Sequence, residues 1–289
     1  MTKKQKINKY FRQQNKLTLK NQKYRRQVAI LTDFLIKEDL AGKGDITTKK
    51  LIKKNQTVRG QITARQIGII AGIEEVIWLL QKHRIKSQFR KKDGQKVKKG
   101  DKILEFTGSI KDILKLERTI LNILQRLSGI ATETNKLVKK NGPLIVPTRK
   151  TQWGVLDKKA VALGKGGTHR LGLYDFILIK DNHIKFTNSH LETKLQALKN
   201  TFWEIEVENK KQALWASCFK PGAIMFDNMT AKQIKKTIKL LSAKNIIYEA
   251  SGGITKKNIQ QYYNSGVDII SLGALTHSSQ ALNISLEIL

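Results

Sequence analysis

The run from Thr148 to Ile184, TRKTQWGVLDKKAVALGKGGTHRLGLYDFILIKDNHI, gathers Arg149, Lys150, His169, Arg170, Lys180 and His183 around a glycine segment, Gly164 to Gly167. Arg149 and Lys150 follow the apolar Leu144-Ile145-Val146, and Lys180 follows Phe176-Ile177-Leu178-Ile179. A buried strand fixes the backbone while the loop after it exposes its side chains, so cations placed there point to the rim of a pocket. Such a rim holds anions. Arginine forks suit carboxylates because two N–H groups meet two oxygens, whereas lysine offers a compact point charge. Against this stands the ordinary outcome that a lysine-rich chain puts cations after strands by chance, and His169 alone would more commonly be a core or surface residue.

Other apolar runs end on different chemistry. Trp203 to Val207 carries Glu206, with Glu204 and Glu208 on the same strand face; Ala223 to Phe226 leads into Asp227. Ile246 to Ala250 leads into Ser251, Gly252 and Gly253, and Asp268 to Leu272 leads into Gly273 and Ala274. A carboxylate beside a sugar stabilises developing positive charge, or binds hydroxyls and Mg²⁺, an ion that takes oxygen ligands and shares substrate phosphates. The loops Ser251-Gly252-Gly253 and Leu272-Gly273-Ala274 let backbone N–H groups approach a phosphate closely. Ser-Gly-Gly by itself says little. Cations after the early strands, acids after the middle ones and glycine loops after the last two form an order that chance seldom supplies.

Positioning these groups falls to the elements between them. Helical stretches at Leu191 to Leu198, Lys211 to Phe219, Ala231 to Leu241 and Lys256 to Tyr263 alternate with the apolar runs, which argues parallel βα units. The strand ends of such units converge on one face. The expected fold is α/β: an N-terminal α+β, sandwich-like domain over 27–141, then a parallel TIM-like barrel, complete or incomplete, over 142–289. Asn141-Gly142-Pro143 is the boundary turn. Within the first domain, Asp112 to Thr134 is the clearest helix: Ile113, Leu116, Ile120, Ile123, Leu124 and Leu127 form its apolar stripe, leaving Lys115, Arg118, Asn122 and Arg126 on the other side. Residues 1–26 hold ten Lys and Arg and no acid, and are expected to be a loose basic tail with at most a helical turn at Ile7 to Phe11.

At 289 residues and 40% hydrophobic the chain has ample core for one large or two ordinary domains. The single Cys218 excludes an internal disulfide and fits a reducing compartment. No apolar run is long enough for a membrane helix and no signal-peptide core follows the basic N-terminus, so a soluble, cytoplasmic protein is expected. The net charge of +32 favours polyanions at long range, yet it is mostly lysine spread from end to end, which speaks to solubility before it speaks to nucleic acid.

The segments TRKT, GGTHRLGLYD and ILIKDNHI resemble the core signature of the quinolinate phosphoribosyltransferase family. The likeness runs from about Glu38 to the C-terminus through EDLAGKGDITT, LERTILNILQRLSGIATET, EIEVEN, FDNM, EASGGIT and GVDIISLGALTHS. The resemblance implies phosphoribosyl transfer from phosphoribosyl diphosphate to quinolinate with decarboxylation, giving nicotinate mononucleotide for NAD biosynthesis. It implies that Thr148, Arg149, His169, Arg170 and Lys180 hold the pyridine dicarboxylate, and that Lys150 lies nearer the diphosphate. Arg118 would reach the neighbouring subunit's site, which implies a homodimer. Glu206 and Asp227 would be the catalytic acids and the Mg²⁺ ligands, with no organic cofactor; leaving out Glu204 and Glu208 rests on the resemblance. The chain departs from the pattern at Gln152 to Asp157, where family members continue with Pro-Gly-x-Arg, and at Lys165, so the shape of this loop and any contact of the missing Arg are not carried over. Two alternatives stand beside this assignment. One is a related phosphoribosyltransferase-like protein associated with molybdenum, from which IKDNH sets the chain apart. The other is a basic nucleic-acid-binding protein on an enzyme fold, which would interleave cations with exposed aromatics on one surface.

Overall fold

The structure of the protein is a computed structural model that describes residues 1–187, 191–241, 243 and 245–289. In chain order the helices are α1 (Lys3–Tyr10), α2 (Gln22–Leu40), α3 (Ile46–Leu51), α4 (Ile73–Lys82), α5 (Ile110–Leu137), α6 (Val155–Leu163), α7 (Asp181–Thr187), α8 (Leu191–Ala197), α9 (Lys210–Cys218), α10 (Ala231–Leu240) and α11 (Ala274–His277). The strands are β1 (Thr57–Ala64), β2 (Gly68–Ile69), β3 (Lys86–Phe89), β4 (Lys96–Val97), β5 (Lys102–Ser109), β6 (Leu144–Pro147), β7 (Ile177–Ile179), β8 (Trp203–Val207), β9 (Ala223–Asp227), β10 (Ile247–Ser251), β11 (Ile269–Leu272) and β12 (Ile284–Ile288). These group into two compact units, one of residues 1–13, 137–151 and 166–277, the other of 14–136, 152–165 and 278–289.

The first unit is the parallel α/β part. Its six strands are the six apolar runs of the sequence, in the order β6-β11-β10-β9-β8-β7, every neighbouring pair parallel. Parallel strands covered on both faces read as nearly unbroken apolar stretches, which is why they are so visible. Among the described residues no ladder joins β6 to β7, so the TIM-like barrel is an open one. Side chains two apart share a strand face. Leu144, Val146, Phe176, Ala223, Ile247 and Ile269 form its apolar core with Phe11, while Thr148, Lys180, Glu206, Asp227, Ser251 and Gly273, further along the same faces, line a cavity. The helices α9 and α10 start on side-chain caps: Asn209 accepts from the Gln212 N–H at 3.0 Å, and Thr230 forms a reciprocal cap with Gln233. The helix expected over Lys256 to Tyr263 is replaced by turns and a 3₁₀ turn at Ile259–Gln261. Asn258 accepts from the Thr255 N–H at 2.8 Å and donates to the Gly253 carbonyl at 2.9 Å, local bonds that compete with a helix.

The loose tail expected over residues 1–26 is corrected here. Thr2 and Gln5 form a capping box on α1, Phe11 is 0% exposed, and Asn21 caps α2. The cations misled because they lie outward, Lys3 pairing with Asp268 at 3.0 Å and Lys6 donating to the Asn245 carbonyl at 2.8 Å, while Ile7, Tyr10 and Phe11 face the apolar core.

The second unit is built on an antiparallel sheet of order β12-β1-β5-β3. Its strand β12 comes from the C-terminus and pairs with β1 from Gly60↔Ile288 to Ala64↔Ile284, so the expected division at 141/142 is corrected as well: 152–165 and 278–289 belong with the N-terminal sheet. The stripe of α5 is buried as its spacing requires, and Arg118 is exposed. Arg126 is not a solvated cation. It forks onto Asp157 at 2.9 and 2.8 Å, and Asp157, 0% exposed, also accepts the Gln152 and Trp153 N–H groups at 3.0 and 3.2 Å. Asp157 thereby shapes the loop where the sequence departs from the family pattern. Beside it, buried Lys159 pairs with Glu75 at 2.6 Å and with Glu74, and the Tyr24 hydroxyl donates to Glu75 at 2.7 Å, tying α6, α4 and α2 together. Among the described residues no helix is long and apolar enough to cross a membrane.

Candidate active site

A cavity of about 810 Å³ opens at the C-terminal ends of β6 to β11, the size of a site for a drug-sized ligand. Its wall brings together Thr148, Arg149, Lys150, His169, Arg170, Lys180, Glu206, Asp227, Ser251, Gly252, Gly253, Gly273 and Ala274, groups spread over more than a hundred residues of sequence. Leu272 is not a lining residue: it is buried, at the strand position between the lining residues Ser271 and Gly273. Arg118 belongs to the other unit, exposed on α5, and does not line the cavity.

The cationic side is held from below. Thr148 Oγ1 accepts from the Lys150 N–H at 3.1 Å, and buried Thr276 donates to the Lys150 carbonyl at 2.7 Å, fixing the turn after β6 that presents Arg149 and Lys150. Arg170 is buried but donates to the Phe176 carbonyl at 3.4 Å. Burial first, then the charge of Arg149, lower its pKa, opposed by Glu204, Glu206 and Asp175. Two guanidiniums that repel each other in the wall of one cavity make a place that an anion would stabilise.

Acids line the same cavity. Glu206 pairs with Lys180, and its pKa is raised, by burial before all else and by the like charges of Asp227 and Asp181, against the pull of Lys180. Asp227 accepts from the Asn228 amide at 3.0 Å, and the Asn228 N–H donates to the Ser251 carbonyl at 3.0 Å. Glu206 and Asp227 therefore offer hard carboxylate oxygens whose mutual repulsion a divalent cation would relieve, a donor set that fits Mg²⁺. Gly252 and Gly253 have φ of +81° and +61°, the left-handed region that glycine tolerates, and a Cβ on Gly252 would stand 2.3 Å from Asn228 Oδ1. The backbone can thus come close to whatever the loop holds.

Sequence reasoning missed the layer beneath. Glu204 and Glu249, both 0% exposed, flank His169, whose Nε2 lies 3.4 Å from an oxygen of each. Burial alone would pull the imidazole pKa down; Glu249 and Glu204 outweigh it and raise it to about 9. Burial, then Glu249, push the Glu204 carboxyl up to about 7. His169 Nδ1 is engaged too, accepting from the Arg170 N–H at 2.7 Å. Both ring nitrogens therefore face the protein; Nδ1 accepts the Arg170 N–H only in the neutral ring, whose single proton then points from Nε2 at the two acids, and a charged ring must give that bond up. The signal available in sequence was the alternation Glu204, Glu206, Glu208, which places an acid in the strand's buried middle; that Glu249 meets it from another strand is a tertiary fact. Lining residues Asp181, Asn228 and His277 were likewise not singled out.

The family model for the quinolinate phosphoribosyl transferase C-terminal domain matches residues 130–287, and that for the N-terminal domain matches 45–128. The chain is 39% identical over 274 residues to a probable nicotinate-nucleotide pyrophosphorylase (carboxylating) of Bacillus subtilis, covering 91% of this chain and 93% of the relative. It is 36% identical over 270 residues to the protein so described in Methanothermobacter thermautotrophicus, covering 88% and 96%. The crystal structure of nicotinate-nucleotide pyrophosphorylase from Ehrlichia chaffeensis superimposes with a TM-score of 0.83 at 34% identity, over 90% of this chain and 98% of that one. With both domain models matched in order and relatives aligned over nearly their full length, the chain belongs to the quinolinate phosphoribosyl transferase family.

Proposed function

We propose that the cavity at the strand ends is where this enzyme performs its family's reaction, transfer of a phosphoribosyl group to quinolinate with decarboxylation, and that its two charged sides divide the substrates between them. The observation that carries this division is that Arg149, Arg170, Glu206 and Asp227 all line one cavity. Arg149, Arg170 and Lys180, with Thr148 beside them and His169 behind, take the two ring carboxylates; Lys150 faces the diphosphate. The Ser251-Gly252-Gly253 loop and the Gly273-Ala274 turn take the 5′-phosphate through backbone N–H groups.

In this scheme the pyridine nitrogen attacks ribose C1 as the C1–O bond to diphosphate breaks, and the positive charge that develops on the ribose lies beside Glu206 and Asp227. The ribosylated nitrogen is cationic, so the electron pair left at the ring carbon by departing carbon dioxide is stabilised until that carbon takes a proton. The side chains position and polarise; none forms a covalent intermediate. Glu206 and Asp227 would hold Mg²⁺, which when bound neutralises diphosphate charge. Arg118 completes a neighbouring subunit's site, which makes the enzyme a homodimer or an assembly of dimers. Cytoplasmic residence accords with the free, exposed Cys218.

Incubation with quinolinate, phosphoribosyl diphosphate and Mg²⁺ should release carbon dioxide and diphosphate in equal amounts. Chelation of divalent cations should stop turnover and added Mg²⁺ restore it; full activity under chelation would remove the Mg²⁺ assignment.

A further inference from the structure

The segment 1–13 precedes both matched family models, which begin at residue 45, yet it is fastened to the loop that carries two of the site's cationic residues. The fastening has three points. The Phe11 carbonyl accepts from the Thr168 N–H at 2.7 Å and from the Thr168 hydroxyl at 3.3 Å, and that hydroxyl accepts from the Gln13 N–H at 3.1 Å. The Gln13 side chain donates to the Tyr10 carbonyl at 3.0 Å and to Asp175 Oδ2, the oxygen that also accepts from the Leu171 N–H at 2.9 Å. The Phe11 ring meets the His169 ring edge-on, centroids 5.2 Å apart at 87°. Arg170 thus sits between Thr168, bonded directly to the N-terminal segment, and Leu171, held through Asp175, which the segment also contacts.

The need for such a clamp lies in the open barrel. Because β6 and β7 share no ladder among the described residues, the chain between them cannot rely on a sheet for its backbone bonds. Gly167 leans on β6 through an N–H bond to the Ile145 carbonyl at 2.8 Å, and a Cβ on it would stand 2.5 Å from the Phe11 carbonyl, so strap and loop are in close backbone contact. His169 is held at φ +50°, a conformation that a non-glycine residue keeps only when its surroundings impose it. The strap is itself anchored: Tyr10 stacks on Phe202 with centroids 3.9 Å apart, and Lys3 pairs with Asp268 at 3.0 Å.

We propose that residues 1–13 are a strap that packs across the N-terminal ends of the barrel strands and sets the Thr168-to-Leu171 corner, with Phe11 and Gln13 acting as positioning residues that aim Arg170 at a carboxylate of the pyridine substrate. The proposal rests on the assignment of Arg170 to that carboxylate. A misaimed arginine weakens the contact it makes and leaves the phosphate loops of β10 and β11 untouched, so the effect falls on one substrate.

The test is steady-state kinetics, both substrates varied, on the full-length enzyme and on Gln13→Ala, Phe11→Ala, Phe11→Leu and Arg170→Ala. Gln13→Ala should raise the KM for quinolinate at least fivefold and leave the KM for phosphoribosyl diphosphate within twofold; Phe11→Ala should do the same more strongly, and Phe11→Leu should recover most of the loss. Thermal melts accompany each variant. If Phe11→Ala does not fold, Gln13→Ala, which keeps every backbone bond of the strap, decides alone. Equal rises in both KM values, or no change in Gln13→Ala, would overturn the strap. An Arg170→Ala enzyme with an unchanged quinolinate KM would instead overturn the underlying site assignment.

Discussion

Arg149 and Arg170 are two guanidiniums at one mouth, and a charge-assisted hydrogen bond from either to a carboxylate contributes about 1.5–3 kcal/mol. Replacing Arg149 or Lys180 with Ala should therefore lower kcat/KM by about 10- to 150-fold while circular dichroism stays native; unchanged kinetics in both variants would remove their assignments. His169 makes a second residue-level prediction, this one on stability. Its folded pKa, about 9, lies above the ordinary value of 6.5, so its pairing with Glu249, the larger of its two attractions, contributes fully below about pH 6.5 and is lost as pH rises through 9. Thermal melts should fall over that window. Glu249→Gln removes the largest attraction and should flatten the slope relative to the parent, and an equally steep slope would detach the effect from this cluster. That the rim residues could be named from sequence, whereas this cluster could not, has a simple cause. Rim residues follow apolar runs in the chain, but His169, Glu204 and Glu249 meet only because three separate segments enter one interior.

At the scale of elements, the loop after β10 is shaped by backbone geometry. A methyl at Gly252 must displace Asn228 and adopt a φ of +81°, so Gly252→Ala should raise the KM for phosphoribosyl diphosphate tenfold or more with a smaller effect on quinolinate, as initial rates at varied concentrations of each would report. In the other unit Asp157 gathers Arg126 and two backbone N–H groups at the start of α6. Asp157→Ala takes the carboxylate away from a largely buried guanidinium and should cost about 3 kcal/mol or more in chemical denaturation. The parallel strands were legible as short, nearly unbroken apolar runs, and α5 because its apolar residues repeat at 3.6 over its length. The 256–263 segment was not, because Asn258 satisfies local backbone groups and ends the helix before it starts.

For the whole molecule, the expectation of shared sites makes a sharp demand. Arg118→Ala and Arg149→Ala should each fall about tenfold or more below the parent, yet an equal mixture refolded together should regain about a quarter of parent activity, since half the dimers are mixed and each mixed dimer has one intact site. No recovery would mean that each chain builds its site alone. The net charge of +32 is not a property of the cavity, which sets its cations against acids; it belongs to the surface, and bears on solubility and salt dependence. The sequence by itself determined the order of the parallel strands, the class of fold, the family and half of the residues that line the cavity, because local periodicity and short ordered motifs are written along the chain. Tertiary structure alone decided that β12 returns to β1, that a basic N-terminus folds against the apolar core of the barrel, and that two buried acids flank His169. Those are contacts between residues far apart in sequence, and their energies depend on burial and proximity that no local window contains.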